Sequence, residues 1–308
     1  MKRSIGKAVV MASIICVLST SLPAQATLPG RNGRLAYGSV RRGNDLEIVV
    51  SRSDGSRSKT LTKNNQSDIC ASWSPDGTRL LFCRFNPKDE LFDIWVMNSD
   101  GKQKVNLTKT PTEDEIFAAF SPDGEAIAYM HSTTGGSGYD IWLMDPDGSN
   151  RRALTTTDED EWRPSWSPDG RTIVFERDVF ENGDFVSSDI WTIDINSERE
   201  TQLTDTDEIE FFADYSPNGN QIAYAADTEG NLDIFVMEDN GNNPRRVTFS
   251  PRNETAPAFS PDGSRIAFIA FSKNEETSNI FVIQSDGADR LRATNTPGRE
   301  AAPAWQPV

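Results

Sequence analysis

The chain has 308 residues, with 47 acidic against 31 basic side chains, one histidine, three cysteines and a net charge of −16. A surface this negative repels phosphate backbones and anionic headgroups, which argues against nucleic acid and membrane surfaces as partners and leaves cationic ones open. One histidine rules out a metal centre built on several imidazoles.

At the N-terminus, Lys2, Arg3 and Lys7 precede an uncharged stretch from Ala8 to Leu22 and then Pro23-Ala24-Gln25-Ala26. A basic head, a short apolar middle and an Ala-x-Ala end predict a secretory signal peptide over 1–26, cleaved after Ala26, and a periplasmic or secreted mature chain of residues 27–308. The apolar stretch is shorter than the ~20 residues a bilayer-spanning helix needs, so no membrane insertion is expected. Cys16 lacks the small-residue context of a lipoprotein cleavage site.

The mature chain enters in the middle of a unit: Asn32-Gly33, the run Leu35-Ala36-Tyr37, the run Glu47-Ile48-Val49-Val50, a turn at Asp54-Gly55, and Leu61-Thr62. An aromatic residue followed by Ser-Pro-Asp-Gly then recurs at Trp73–Gly77, Phe120–Gly124, Trp166–Gly170, Tyr215–Gly219 (with Asn218 for Asp) and Phe259–Gly263, the serines being 47, 46, 49 and 44 residues apart. Pro presets φ at the second turn position, Asp or Asn tolerates the third, and Gly takes the left-handed fourth, so each copy predicts a tight hairpin. Each is followed by a β-type run such as Ile127-Ala128-Tyr129, a second such as Asp140-Ile141-Trp142-Leu143-Met144, a turn such as Asp147-Gly148, and a short strand ending in Leu154-Thr155 or its counterpart. The unit is four strands joined by glycine turns. The C-terminus stops at Ala302-Pro303-Ala304-Trp305-Gln306-Pro307, a strand before a turn with no partner after it, and so supplies what the first unit lacks. A repeat of about 46 residues with complementary half-units at its ends predicts an all-β, six-bladed β-propeller of four-stranded antiparallel blades, closed by the C-terminal strand joining the N-terminal blade. Closure also removes the sheet edges an open stack would expose.

The aromatic-Ser-Pro-Asp-Gly, Ile-Ala-Tyr, Asp-Ile-Trp-Val-Met and Leu-Thr pattern resembles the WD-like Pro-Asp propeller repeat of the periplasmic TolB family, and is similar to the propellers of dipeptidyl-peptidase-type enzymes. The likeness spans residues 29–307. It implies a stand-alone propeller without the α/β domain that precedes the propeller in TolB, acting as a protein-interaction platform. It admits calcium near the channel, which no Asp-x-Asp-x-Asp-Gly loop supports, and no other cofactor is expected.

No Gly-x-Ser-x-Gly elbow accompanies the single histidine, His131, which is expected to be a surface or loop residue rather than part of a triad, so no catalytic residue is assigned. Cys70 and Cys83 flank the Ser74–Gly77 turn, and a hairpin places them across from one another to within one residue of register: direct opposition allows a disulfide, a slip leaves two buried thiols. Five residues before each aromatic stands an acid, in Asp68, Glu115, Glu161, Glu210, Glu254 and Glu300. These are expected to ring one mouth of the channel, opposite the hairpins. Neighbours ~7 Å apart would repel by about 2 kcal/mol at an effective dielectric of ~20, so the ring needs either a bound cationic partner or a capping role for each acid within its own loop. Further acids crowd the same loops, in Glu113-Asp114, Asp158-Glu159-Asp160 and Asp205 through Glu208. After the ring acids, Ile116-Phe117, Trp162-Arg163 and Phe211-Phe212 form a lopsided aromatic sector, with Phe117, Trp162 and Phe211 as candidate contacts beside core packing as the alternative. The segment Arg177 to Ser188, with Phe180 and Phe185, is expected to be the longest loop, and the repeat Trp and Tyr residues are expected in the core. The favoured function is an exported, monomeric, non-enzymatic binding module for an envelope or extracellular protein, taking a cationic or amphipathic segment at the acidic mouth. The alternative is a glycan-acting enzyme or carbohydrate-binding propeller.

Overall fold

The Ser-Pro-Asp-Gly segments close as their chemistry requires. In the computed structural model, which describes residues 29–42, 45–133, 138–181, 184–228 and 230–308, the Gly77 N–H donates to the Ser74 carbonyl at 2.8 Å with Gly77 at φ +65°, and the other four copies repeat the bond. The serine side chain locks the turn from inside, for Ser74 Oγ donates to Asp76 Oδ1 (2.6 Å) and accepts from the Arg79 N–H (2.9 Å). The predicted signal peptide lies outside the described residues.

Each turn joins the first two strands of a blade. Blade 1 holds β1 (Asn32–Arg42), β2 (Asp45–Ser51) and β3 (Lys59–Thr60); blade 2, β4 (Asp68–Trp73) to β7 (Val105–Asn106); blade 3, β8 (Asp114–Phe120), β9 (Ile127–Ser132), β10 (Asp140–Met144) and β11 (Arg152–Ala153). Blade 4 runs from β12 (Glu161–Trp166) through β13 (Thr172–Glu181) and β14 (Asp184–Asp194) to β15 (Glu200–Gln202); blade 5 from β16 (Glu210–Tyr215) to β19 (Arg245–Arg246); blade 6 from β20 (Glu254–Phe259) to β23 (Leu291–Arg292). The last strand, β24 (Ala304–Pro307), pairs antiparallel with β1 through Leu35↔Trp305 and Ala36↔Ala304, so blade 1 is ordered β24-β1-β2-β3. The described residues thus form six four-stranded antiparallel sheets in a ring closed by the C-terminal strand. Among them no helix is long and apolar enough to cross a membrane.

Inner-strand aromatics fill the space between blades. Trp73, Trp166 and Trp305 are buried, and their indole N–H groups donate across the blade boundary to the carbonyls of Ala304, Ala119 and Ala258 (3.1–3.2 Å). Trp95, Trp142 and Trp191, one strand further out from the inner pair, are only half-buried, because fewer neighbours cover the widening wedge. The threonine of the Leu-Thr signature accepts the N–H of the isoleucine in the third strand of its blade, as in Thr155 Oγ1 with Ile141 (2.8 Å), and all six blades repeat this bond. At the outer turn of blade 3, Gly148 sits at φ +86° where a Cβ would stand 2.4 Å from the Leu107 carbonyl of blade 2.

One expectation changes at this level, and one open alternative is decided. Arg177 to Ser188 is not a loop: β13 and β14 extend through it as a hairpin, pairing Arg177↔Asp189 and Phe180↔Phe185, since its β-branched and aromatic residues continue the ladder. The register of β4 pairs Ile69, not Cys70, with Cys83. A bulge at Cys70 (φ +60°) nevertheless turns its side chain back toward Cys83, and both are free, buried thiols, hydrogen-bonded to one another.

Candidate functional site

Five inner strands begin at or next to their acid, since Asp68, Glu161, Glu210 and Glu254 open β4, β12, β16 and β20 and Glu115 is second in β8, while Glu300 bridges to Ser39 four residues ahead of β24. All lie at the end opposite the Ser-Pro-Asp-Gly hairpins. They do not present an open ring of carboxylates, however, for each is at most 5% exposed. The compensation they need comes from within the protein. Asp68 takes a bidentate pair from Arg84 (2.6 and 2.8 Å), Glu161 is bound by Arg177 (2.5 Å) and Glu254 by Arg290 (2.5 Å). Each of these arginines also lies over two rings of its blade: Arg84 on Phe82 and Trp95, Arg177 on Phe175 and Trp191, Arg290 on Phe268 and Phe281, at 4.3–5.3 Å. The other three acids rest mainly on hydroxyls. Glu300 accepts from Ser39 (3.2 Å) and Thr296 (2.5 Å), Glu115 from Thr110 (2.7 Å), and Glu210 from Thr204 and Thr206. Burial pushes Glu115 and Glu210 up to about 7 against these bonds, and Arg151 at 3.7 Å from Glu115 holds it down only in part.

Two residues after the acid, the strand kinks. Cys70, Phe117, Arg163, Phe212 and Ala256 all have φ between +53° and +60° within a register shift. This left-handed bulge on non-glycine residues left no mark in the composition. It drives the aromatic sector inward: Phe117 and Phe211 are 3% and 4% exposed and belong to the core, not to a contact surface. The lopsidedness has a packing cause. The buried guanidinium of Arg163 pairs with Glu176 (2.8 Å) and lies on Phe212 (4.2 Å), Phe117 (5.1 Å) and Trp162 (5.7 Å), so three successive blades supply rings to one cation. Trp162 alone of the predicted aromatic contacts stays half-exposed, its indole N–H donating to Asp178 (3.1 Å) and its ring against Tyr139.

The exposed chemistry of this end lies in the connections between blades. Asp158 and Glu159 in the loop from blade 3 to blade 4, and Asp205, Asp207 and Glu208 in the next, are exposed. Across the ring, the loops Lys63-Asn64-Asn65-Gln66, Ser250-Pro251-Arg252 and Asn295 to Arg299 carry no acid. Among the connections between blades, the acids are confined to one arc. Two exposed aromatics flank that arc, Phe180 (47%) at the tip of the blade 4 hairpin and Phe249 (76%) in the loop from blade 5 to blade 6. His131, expected on the surface, is instead buried in β9, its Nε2 3.3 Å from Glu113 Oε2 and its ring 4.1 Å from Trp142.

Comparison with known proteins follows the repeat. The family described as TolB beta propeller domain matches residues 30–183, and that described as the dipeptidyl peptidase IV N-terminal region matches residues 167–297. The Tol-Pal system protein TolB of Thioalkalivibrio sulfidiphilus is 33% identical over 79 residues, 25% of this chain and only 18% of that protein. Among solved structures, TolB from Acinetobacter baumannii superimposes with a TM-score of 0.77 at 20% identity, covering 91% of this chain and 68% of that one. Oligogalacturonate lyase from Vibrio parahaemolyticus gives 0.56 at 14% identity, covering 87% and 75%. At such identities the structures share the fold.

Proposed function

The chain belongs to the TolB beta propeller domain family, and from that premise we propose that it is an exported protein-interaction module of the cell envelope, binding rather than converting its partner. It takes a cationic, amphipathic protein segment across the acidic arc of blades 3 to 5. The observation that carries this reading is the juxtaposition, on one end of the ring, of the exposed Asp158, Glu159, Asp205, Asp207 and Glu208 with Phe180 and Phe249. Acids arranged on one side steer and orient a basic segment, and exposed aromatic rings at the margin offer it apolar anchors. The buried ring acids contribute by holding the loops that carry the arc, not by contact.

The test is capture of a basic amphipathic helical peptide by immobilised protein at low and high salt. Replacing Asp205, Asp207 and Glu208 by Asn, Asn and Gln is expected to weaken capture at least tenfold and flatten its salt dependence, and Phe249→Ser to weaken it without changing the salt slope. Neutralising Glu125 and Asp239, at the opposite end, is the control. Equal loss from both sets, or from neither, overturns the reading.

A further inference from the structure

Blade 3 departs from its neighbours at one position. Where blades 2 and 4 place Arg84 and Arg177 directly across from the ring acid, blade 3 places the chain's one histidine, through the pair Glu115↔His131. The exchange alters the chemistry, because a guanidinium only donates hydrogen bonds whereas a neutral imidazole carries a lone pair that ligates metals. Around that lone pair the structure gathers two carboxylates. His131 Nε2 stands 3.3 Å from Glu113 Oε2, and one atom each of Glu113, Glu115 and His131 lie within 4.8 Å of one another.

We propose that Glu113, Glu115 and His131 bind a single first-row divalent transition-metal ion, with Tyr129 Oη hydrogen-bonded to a water on that ion.

Four observations support the site beyond the ligand cluster. The Tyr129 hydroxyl is buried, has no hydrogen-bond partner among the described residues, and stands two residues before His131 on the same strand. Its ring stands edge-on to the His131 imidazole, 6.4 Å between centroids, and Arg151 and the Glu115 and Glu113 carboxylates all act on it electrostatically. A buried hydroxyl without a partner is costly, and a metal-bound water satisfies it. Secondly, the neighbouring cation does not occupy the position. Arg151 commits Nη2 to the Leu107 and Thr108 carbonyls (2.9 and 2.7 Å) and Nε to Gly148 (3.1 Å), leaving Nη1 3.7 Å from Glu115, beyond hydrogen-bond reach. Thirdly, the ligands are held: Thr110 donates to Glu115 at 2.7 Å, while Trp142 against one side of the imidazole and Tyr129 edge-on to it fix the ring plane. Finally, Glu113 is 36% exposed on the inter-blade loop, giving the ion a way in and giving one ligand the freedom to close to bonds of about 2.0–2.2 Å.

One imidazole and two carboxylates suit zinc, manganese, iron(II) or cobalt(II), and disfavour calcium, which takes oxygen ligands alone. Three protein ligands leave coordination positions open toward the mouth. The site is distinct from the recognition arc, and neither reading requires the other.

Untagged, EDTA-treated protein at pH 7.5 tests it directly, because a single histidine yields a single set of imidazole resonances. One equivalent of Zn²⁺ is expected to move the His131 Hε1 signal in a saturable way, and Mn²⁺ to broaden it. Calorimetry is expected to give one site for Zn²⁺, lost in His131→Gln and weakened at least about tenfold in Glu113→Gln, a substitution at a half-exposed residue that leaves the metal-free melting curve in place. Tyr129→Phe is expected to weaken binding severalfold. The proposal is overturned if no one-equivalent binding occurs, if it survives His131→Gln, or if Ca²⁺ competes on equal terms with Zn²⁺.

Discussion

Blades 2, 4 and 6 solve the burial of their acid differently from blades 1, 3 and 5. In the even blades the ring beside the acid is a phenylalanine, Phe82, Phe175 or Phe268, roofed by an arginine that also binds the carboxylate. In the odd blades the same strand position is a tyrosine, Tyr37, Tyr129 or Tyr224, and the residue across from the acid is Ser39, His131 or Ala226. Blades 2 and 4 set the arginine directly across from the acid, whereas blade 6 has Ala270 there and supplies Arg290 from the connection before its outer strand, the place of Arg151 in blade 3. Burial raises the arginine-paired Glu161 and Glu254 as well, against the pull of their cations, and carries Glu115 and Glu210, held mainly by hydroxyls, up to about 7. The ring of acids therefore serves structure in every blade, and in blades 3 and 5 burial carries the acid up to about 7.

The largest expected effect is in an even blade. Arg177→Ala leaves the buried Glu161 without its cation and exposes Glu200, and should cost about 3–5 kcal/mol in denaturant unfolding, against about 1 kcal/mol for Ser39→Ala in blade 1. Equal losses would erase the distinction. Next comes the pH dependence of blade 5. Glu210 is held at about 7 in the fold against an ordinary 4.5, so the folded state keeps an extra proton between those values. The stability this confers is complete below the unfolded value and declines as pH rises through the folded one, by at most about 3 kcal/mol. Glu210→Gln should flatten that decline between pH 5 and 8, whereas a variant as pH-sensitive as the parent would place the titration elsewhere.

A smaller effect tests whether the designs are interchangeable. Tyr224→Phe combined with Ala226→Arg gives blade 5 the arrangement of blades 2 and 4 and should draw the Glu210 carboxyl down from about 7, with a gain of about 1–2 kcal/mol at pH 8. Carboxyl resonances followed against pH would reveal it, and an unmoved titration would show that the two positions are not equivalent. Smallest of all, Tyr129→Phe removes a buried hydroxyl that has no partner among the described residues and should shift metal-free stability by less than about 1 kcal/mol, in either direction.

The repeat, the hairpins, the glycine positions and the closure of blade 1 by Ala304–Pro307 were legible in the sequence, since each depends on turn chemistry or on patterns within a few residues. So was the acidity of the loops around Asp158 and Asp205, because runs of charge in a connection have nowhere to go but the surface. The fate of the ring acids, of Phe117 and Phe211, and of His131 was decided only by tertiary structure. Their burial depends on which residues meet across blades, as Arg163 meets Phe117 and Phe212 from 46 and 49 positions away, and on a left-handed bulge that no glycine announces. Spacing sets the end of the ring on which a side chain stands. Whether it faces water or a neighbour there is a property of the assembled blades, and that burial is what decides whether a carboxylate keeps its charge.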